Sequence, residues 1–198
     1  MGTKQLKLFI AFACLVIPNL VFAEYGEKQL HYRGGVILGT YEGLFSSTVE
    51  TTSVADVEYE VFQSNNRSNF FRFTLGMDFT TNNVNYHYLG GGQRFYLWSK
   101  GTYFDTVRKS SGIRVFPKFR LYAGWAAGTS TVTLNTFGEY LQISSSTVEV
   151  GVQAGTIYNI TKKLGLELQY SFDISTGFTS VSSGGFVNRA TLGLTYYF

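Results

Sequence analysis

The chain has 198 residues, enough for one domain, with 44% hydrophobic and 17% aromatic residues and a formal net charge of +3. Two of the basic residues, Lys4 and Lys7, lie at the extreme N-terminus, and without them 14 basic side chains are balanced by 13 acidic ones. This near balance gives no electrostatic reason to expect nucleic-acid binding. Cys14 is the only cysteine, so the chain after it has no thiol for a disulfide or a cysteine–metal site.

Residues 1–23 have the features of a secretory signal peptide. Lys4 and Lys7 precede an apolar run that Pro18 interrupts, and the run ends in Val-Phe-Ala before Glu24, with small residues at the −3 and −1 positions. A transmembrane anchor would need about 20 apolar residues, more than this run offers. Lipoprotein processing at Cys14 would leave too short an apolar region. We therefore expect a signal peptide at 1–23 and a mature domain at 24–198.

The first half of the mature chain is predicted to form four strands, because apolar and polar residues alternate along it with period two. The third strand has the sequence F-R-F-T-L-G-M-D-F, an almost unbroken alternation. Ile37 breaks the pattern in the first strand, and three consecutive glycines predict a bulge or bend in the fourth. The predicted strands span about 30–43, 54–62, 71–79 and 85–97.

The second half is predicted to contain four more strands, at about 118–130, 148–160, 164–175 and 186–198. The seventh is the clearest, with the sequence L-G-L-E-L-Q-Y-S-F-D-I-S. Segments 44–53, 131–147 and 176–185 are rich in Ser, Thr or Gly and are interpreted as loops, and residues 161–163 are predicted to form a tight turn. Segment 98–117 is polar and irregular, and it is expected to hold either a short extra hairpin or a helical turn.

Strand length and charge placement predict that these strands form a membrane barrel. They are about 9–14 residues long, whereas strands in soluble proteins usually have about 5–6 and tilted spanning strands need roughly 9–11. Their polar faces carry formal charges that must pair with one another inside a closed sheet. The predicted fold is an all-β, eight-stranded antiparallel up-and-down transmembrane β-barrel. The predicted lumen charge network consists of Arg33, Asp56, Glu58, Glu60, Arg72, Asp78, Arg94, Arg120, Glu149, Glu167, Asp173 and Arg189. Within it, Arg189 is expected to be grouped with Glu167 and Asp173 of the seventh strand.

An even number of strands places both termini on the same side, which is expected to be the periplasm. Segments 44–53, 80–84, 131–147 and 176–185 would then be extracellular. Aromatic residues near the strand ends are predicted to form two girdles at the membrane interfaces. The periplasmic girdle would contain Phe70, Phe71, Phe95, Tyr96, Trp98, Phe116, Phe119, Tyr158, Tyr196 and Phe198, and the outer girdle Phe79, Tyr86, Tyr88 and Phe172.

Four segments carry a resemblance to a known family: L-G-G-G-Q-R-F-Y-L (89–97), P-K-F-R-L-Y-A-G-W-A-A-G (117–128), residues 153–170, and the final strand ending in Tyr-Tyr-Phe. The chain resembles the small bacterial outer-membrane β-barrel proteins of the OmpA-transmembrane, OmpX and OmpW type. The resemblance implies an outer-membrane location and contact with lipid and lipopolysaccharide. It also implies that Tyr196 and Phe198 are part of the signal read by the barrel-insertion machinery, and that loops 44–53, 131–147 and 176–185 are available to an extracellular ligand.

The two histidines give little reason to expect catalysis. Barrels of the lipid A deacylase type have a serine two positions after the histidine, but His87 is followed by Tyr88 and Leu89. His31 and His87 are therefore interpreted as histidines of the rim or girdle. No catalytic residue and no cofactor are expected.

Two further questions concern the interior. Asp56, Glu58 and Glu60 suggest either a cation site or ion pairs with Arg33, Arg72 and Arg94, and the ion pairs are the favoured interpretation. A charge-filled interior favours a structural or surface-interaction barrel. The alternatives are a narrow OmpW-like channel for small or hydrophobic solutes and, less favoured, a lipid-modifying enzyme.

Overall fold

The computed structural model describes residues 28–43, 47–64, 66–77, 84–98, 103–108, 111–115, 117–136, 141–177 and 182–198. No helix among these residues is long and apolar enough to cross a membrane. The strands are β1 (Lys28–Gly43), β2 (Ser47–Ser64), β3 (Arg67–Met77), β4 (Val84–Trp98), β5 (Tyr103–Arg108), β6 (Ser111–Val115), β7 (Phe119–Thr136), β8 (Leu141–Asn159), β9 (Leu164–Gly177) and β10 (Ser182–Tyr197).

Eight of these strands form a closed antiparallel barrel in the order β1-β2-β3-β4-β7-β8-β9-β10, which confirms the predicted fold. The first and last strands close it, with pairing that runs from Gln29–Tyr197 to Gly43–Ser182. Closure matters because it leaves no barrel strand with an unpaired edge. We call the end where β1 begins and β10 finishes the terminal end, and the opposite end, reached by the β1–β2, β3–β4, β7–β8 and β9–β10 connections, the far end.

The two faces of the barrel have opposite polarity. Along β9 the outward Leu168 is 55% exposed, whereas the inward Glu167 is 0% exposed. The same alternation runs through β3 and β9, with buried polar residues between exposed apolar ones. An apolar outer surface over a charged interior is the reverse of a water-soluble core, and it suits a barrel surrounded by lipid.

Two predicted loops are largely strand, so their predicted bounds were wrong. Strand β2 already begins at Ser47, inside the predicted loop 44–53, and β7 and β8 remain paired up to Thr136–Leu141, inside 131–147. Thr51 and Ser53 occupy exposed positions and Thr52 a buried one, so the alternation continues here without apolar residues. The apolar period that marks strands in the sequence therefore ends before the strands do. Of segment 176–185, only 178–181 lies outside the described residues.

Segment 98–117 contains the extra hairpin that was one of its two predicted forms. Strands β5 and β6 pair with each other in a separate two-stranded sheet. The predicted tight turn at 161–163 is also present, and the Thr161 hydroxyl accepts hydrogen bonds from the N–H groups of Lys163 and Leu164 at 3.1 and 3.0 Å.

A bulge, one of the two forms predicted for the glycines of β4, is excluded, because Gly90, Gly91 and Gly92 pair in regular register with both neighbouring strands. A Cβ atom on Gly90 would collide with the ring of Tyr88, and one on Gly92 would press on Phe70. Gly90 and Gly92 therefore make room for large interior side chains.

The predicted aromatic girdles need a correction. Four of their members, Phe70, Tyr86, Tyr88 and Tyr96, point inward and are at most 5% exposed. The position of a residue along the strand decides which face of the sheet its side chain occupies, because successive residues of a strand point to opposite sides. The type of side chain does not change this. Ile37 likewise obeys the alternation and lies inside. The exposed, outward girdle residues are Phe71, Phe95, Phe119, Tyr158, Phe172, Tyr196 and Phe198, while Phe79, Phe116 and the Trp98 side chain lie outside the description.

Candidate functional site: the charged interior

Eleven of the twelve residues predicted for the interior network lie inside the barrel and are at most 3% exposed. Asp78 falls outside the described residues. The eleven divide into two groups and one separate arginine. The terminal network is Arg33, Asp56, Glu58, Glu60, Arg72, Arg94 and Glu167, joined by His31, and the far network is Glu149, Asp173 and Arg189.

Glu58 is the centre of the terminal network, because its carboxylate meets three guanidinium groups. The Nη2 atom of Arg33 donates to Glu58 at 2.8 Å, and the Nε atom of Arg72 donates at 2.9 Å. The Nη2 atom of Arg94 lies 2.6 Å from the other Glu58 oxygen. Glu58 and Arg72 are direct partners across β2 and β3, so the sheet register brings this pair together.

The prediction that His31 is a rim histidine is wrong. His31 is 0% exposed, with Nδ1 2.6 Å from Glu167 and Nε2 2.8 Å from Glu60. A carboxylate beside each ring nitrogen requires two N–H donors, which is the protonated imidazolium. Protonation also balances the charge, because the terminal network has three arginines against four carboxylates.

Tyrosine hydroxyls complete the coordination of the same carboxylates. Tyr96 donates to Glu60 at 2.8 Å and Tyr122 to Glu167 at 2.5 Å. The guanidinium carbon of Arg94 lies 4.3 Å from the centre of the Tyr122 ring, within range of a cation–π interaction. A Cβ atom on Gly155, the cross-strand partner of Tyr122, would collide with that ring, so glycine is needed there.

Replacing His31 by phenylalanine is expected to destabilise the barrel by about 3 kcal/mol, since a ring of similar size would remove one donor from each of the buried carboxylates of Glu60 and Glu167. Urea unfolding in detergent micelles, followed by mobility on unheated SDS gels, measures the loss. His87→Ala is the matched control, because His87 is exposed on the outer face and should change stability little. Equal effects of the two substitutions would contradict the role given to His31.

The far network is smaller and is built around one arginine. The Nη2 atom of Arg189 lies 3.1 Å from Glu149 and 3.2 Å from Asp173. Tyr86 and Ser130 donate to Glu149 at 2.8 and 2.5 Å. The expected grouping of Arg189 with Glu167 is not what the structure shows, because Glu167 lies in the terminal network.

Apolar clusters lie beyond the networks toward both ends of the interior. Toward the terminal end, Phe62, Tyr96, Tyr122 and Ile157 pack together, and the Arg120 guanidinium lies over the Tyr96 and Tyr197 rings at 4.9 and 5.0 Å. Arg120 also donates to Gln29 at 2.9 Å and Tyr197 at 2.6 Å. Toward the far end the cluster is Ile37, Val54, Tyr86, Tyr88, Val132 and Val187. Side chains therefore fill the interior along its length, as expected for eight strands.

The described residues include one grouping with the geometry of metal ligands, made by His31, Glu58 and Glu60, whose donor atoms lie within 4.8 Å of one another. Arg33, Arg72 and Arg94 already surround the Glu58 carboxylate, and Arg94 also reaches Glu60 at 2.9 Å. Positive groups on the same oxygens oppose cation binding. The arrangement is that of an ion-pair network, and it offers no activated nucleophile.

The predicted interior network omitted the members that carry no formal charge, namely the tyrosines and the apolar residues of the two clusters. The sequence does contain the information, since each of them lies an even number of residues from a charged interior residue of the same strand. His31 precedes Arg33 by two, and Tyr96 follows Arg94 by two. The alternation, rather than side-chain chemistry, identifies what lies inside.

No protein-family model and no curated protein sequence matches the chain. Solved structures do match in fold. Neisserial surface protein A superposes with a TM-score of 0.59 at 12% identity, covering 85% of this chain and 97% of that one. The N-terminal β-barrel domain of Pseudomonas aeruginosa OprF gives 0.52 at 14% identity, covering 87% and 97%. Ail, the attachment invasion locus protein of Yersinia pestis, gives 0.50 at 13% identity, covering 86% and 98%. The chain therefore has the fold of the small eight-stranded outer-membrane β-barrels, as its sequence resemblance implied.

Proposed function

We propose that this protein is exported, spans the bacterial outer membrane as a β-barrel, and serves a structural or surface-interaction role with a closed interior. The observation that carries the proposal is the filled lumen. Its ion pairs are buried, as with Arg94 and Glu58, and apolar clusters pack beyond them toward both ends. A continuous water path would have to break these contacts, at the cost of leaving buried charges unpaired.

Planar-bilayer recordings test the closed interior. The reconstituted protein is expected to show no steady conductance, because the side chains of Arg94, Tyr122 and Tyr96 contact one another inside the barrel. A porin with a water-filled lumen in the same bilayers is the positive control, and a mobility shift on heating before SDS electrophoresis verifies that the sample is folded.

Steady single-channel currents from the folded protein would contradict the closed interior. They would support the alternative function, a narrow channel for small or hydrophobic solutes. In the described residues, no observation favours that alternative.

We propose further that the barrel is not an enzyme. His87 is exposed on the outer face of β4, between Leu75 and Thr131, and His31 is enclosed by carboxylates. Neither lies beside a serine or cysteine in a catalytic arrangement within the described strands. Cells that produce the wild-type chain and cells that produce His87→Ala should have the same lipid A profile by mass spectrometry, and a difference would overturn this part.

The surface-interaction role is proposed for the far end, through segments 44–53, 131–147 and 176–185. Strands β7 and β8 continue into this end with sequences rich in serine and threonine. Ail has been crystallised with the heparin analogue sucrose octasulfate. We propose no sulfated ligand for this chain, because its far-end segments contain no lysine or arginine to bind sulfate groups.

The proposed partners in assembly are outer-membrane lipid, lipopolysaccharide and the barrel-insertion machinery, with Tyr196 and Phe198 as the insertion signal. Both side chains are exposed, at 39% and 61%, and their rings pack edge to face at 5.2 Å. They remain accessible on the outer surface at the end of the last strand, where the barrel-insertion machinery could bind them.

A further inference from the structure

In the described part of the barrel, basic side chains outside the interior lie at one end. From residue 28 onward the chain has 14 lysines and arginines, and five of the arginines are in the interior. Of the other nine, four lie at positions 100–114, in the segment that leaves the barrel after β4 and re-enters it at β7, both at the terminal end. The remaining five are exposed at the terminal end itself, and we call them the basic ring: Lys28, Arg67, Lys118, Lys162 and Lys163.

The far end has the opposite charge. Segments 40–53, 77–88, 128–147 and 176–188, which include all the far-end connections, contain no lysine or arginine. Their charged residues are four acids, Glu42, Glu50, Asp78 and Glu139. The net charge of +1 on the mature chain therefore hides a strong separation of charge along the barrel axis.

The basic residues form a ring rather than a patch. Lys28 begins β1, Arg67 begins β3, Lys118 immediately precedes β7, and Lys162 and Lys163 connect β8 to β9. Since neighbouring strands in the barrel follow the order of the chain, these positions are distributed around its whole circumference. Lys118 precedes the strand and is exposed.

The ring lies directly beside exposed aromatic residues. The guanidinium carbon of Arg67 is 6.0 Å from the centre of the Phe95 ring. The N–H of Phe198, whose side chain is 61% exposed, donates to the Lys28 carbonyl at 3.2 Å. Exposed aromatics mark the border between apolar chains and head groups. The ring therefore lies at head-group depth, where long basic side chains reach outward.

We propose that the basic ring binds the phosphate groups of anionic phospholipids in the leaflet at the terminal end. This inference rests on the proposed membrane-spanning function. A circular arrangement of basic residues at head-group depth can contact the lipids that surround the barrel on all sides. A soluble macromolecule would instead bind a patch on one side of the barrel. Each basic residue near an anionic head group favours that lipid over a neutral one by roughly fivefold.

Quenching of tryptophan fluorescence by brominated lipids tests the proposal. In a Trp98→Phe variant, Trp125 is the only tryptophan, and its side chain is 44% exposed on the outer face of β7. The protein is reconstituted in vesicles of phosphatidylcholine and phosphatidylglycerol, with bromine on the acyl chains of one lipid or the other. We expect brominated phosphatidylglycerol to quench Trp125 severalfold more effectively at low salt. The preference should fall at about 1 M salt, where electrostatic screening acts over about 3 Å.

A variant with all five ring residues changed to glutamine should lose much of the preference. The matched control changes Lys28, Lys118, Lys162 and Lys163 to arginine and Arg67 to lysine, which keeps the charge and should keep the preference. Equal quenching by the two lipids in the parent protein, or an unchanged preference in the glutamine variant, would overturn the inference alone. Loss of the preference on adding inorganic phosphate at constant ionic strength would also overturn the inference, because it would show that the ring binds free phosphate rather than lipid head groups. No quenching by either lipid would overturn the membrane-spanning function as well.

Discussion

Replacing Glu58 by glutamine is expected to lower the free energy of unfolding by about 3–5 kcal/mol, the cost of removing one partner from a buried ion pair. Glu58 receives Arg33, Arg72 and Arg94 at 2.6 to 2.9 Å, and its own exposure is 0%. Glutamine keeps the shape of the side chain but removes the charge that these arginines share. Urea titration of the reconstituted barrel, read from unheated SDS gels, measures the change.

A double-mutant cycle separates charge from packing. Arg72→Gln combined with Glu58→Gln removes one positive and one negative group from the same contact, so the double variant should be less destabilised than the sum of the two single variants. A loss below about 1 kcal/mol for Glu58→Gln alone, which is the range of an exposed ion pair, would show that water reaches the network.

Placing an arginine on the outer surface is expected to have an effect that depends on depth. Leu168 is 55% exposed and pairs with Leu192 and Thr156 in the middle of the barrel wall. If lipid covers this surface, Leu168→Arg should cost about 2–4 kcal/mol, because the charge would lie near the bilayer midplane. The same urea titration in phospholipid vesicles gives the value.

Ile160→Arg is the matched control for this substitution. Ile160 is 56% exposed, almost the same as Leu168, but it lies beside the β8–β9 turn at the terminal end. An arginine there should cost only about 0–1 kcal/mol. Equal costs at the two positions would mean that the outer surface faces water or another protein along its whole height.

The alternation in β9 shows why the fold was predictable. Leucines, tyrosine and phenylalanine alternate with glutamate, glutamine and aspartate over a length that a soluble sheet rarely uses, and the observed strand is Leu164–Gly177 against a prediction of 164–175. The prediction failed where the strands leave the apolar band. Strand β2 starts at Ser47, not near 54, since serine and threonine continue the pairing without an apolar face to reveal it.

The interior was predictable as a set of positions but not as a set of contacts. Glu167 was expected beside Arg189, yet it receives His31 and Arg33 from β1, which reaches it across β10. Such contacts depend on the stagger of the strands around a closed barrel, and the alternation within one strand does not specify that stagger. His31 shows the same limit, because its role comes from carboxylates on β2 and β9.

Local pattern alone therefore accounts for the number of barrel strands, the two-faced strands, the charged lining and the closed all-β architecture. Each of these follows from a period of two and from the length needed to cross a bilayer. Closure of the barrel determined the rest: which arginine meets which carboxylate, that Tyr122 lies against Gly155, and that side chains fill the interior. The position of the basic ring belongs to both levels. The order of the sequence places the exposed lysines and Arg67 at one end, and the closed sheet arranges them around its circumference beside the terminal aromatic residues.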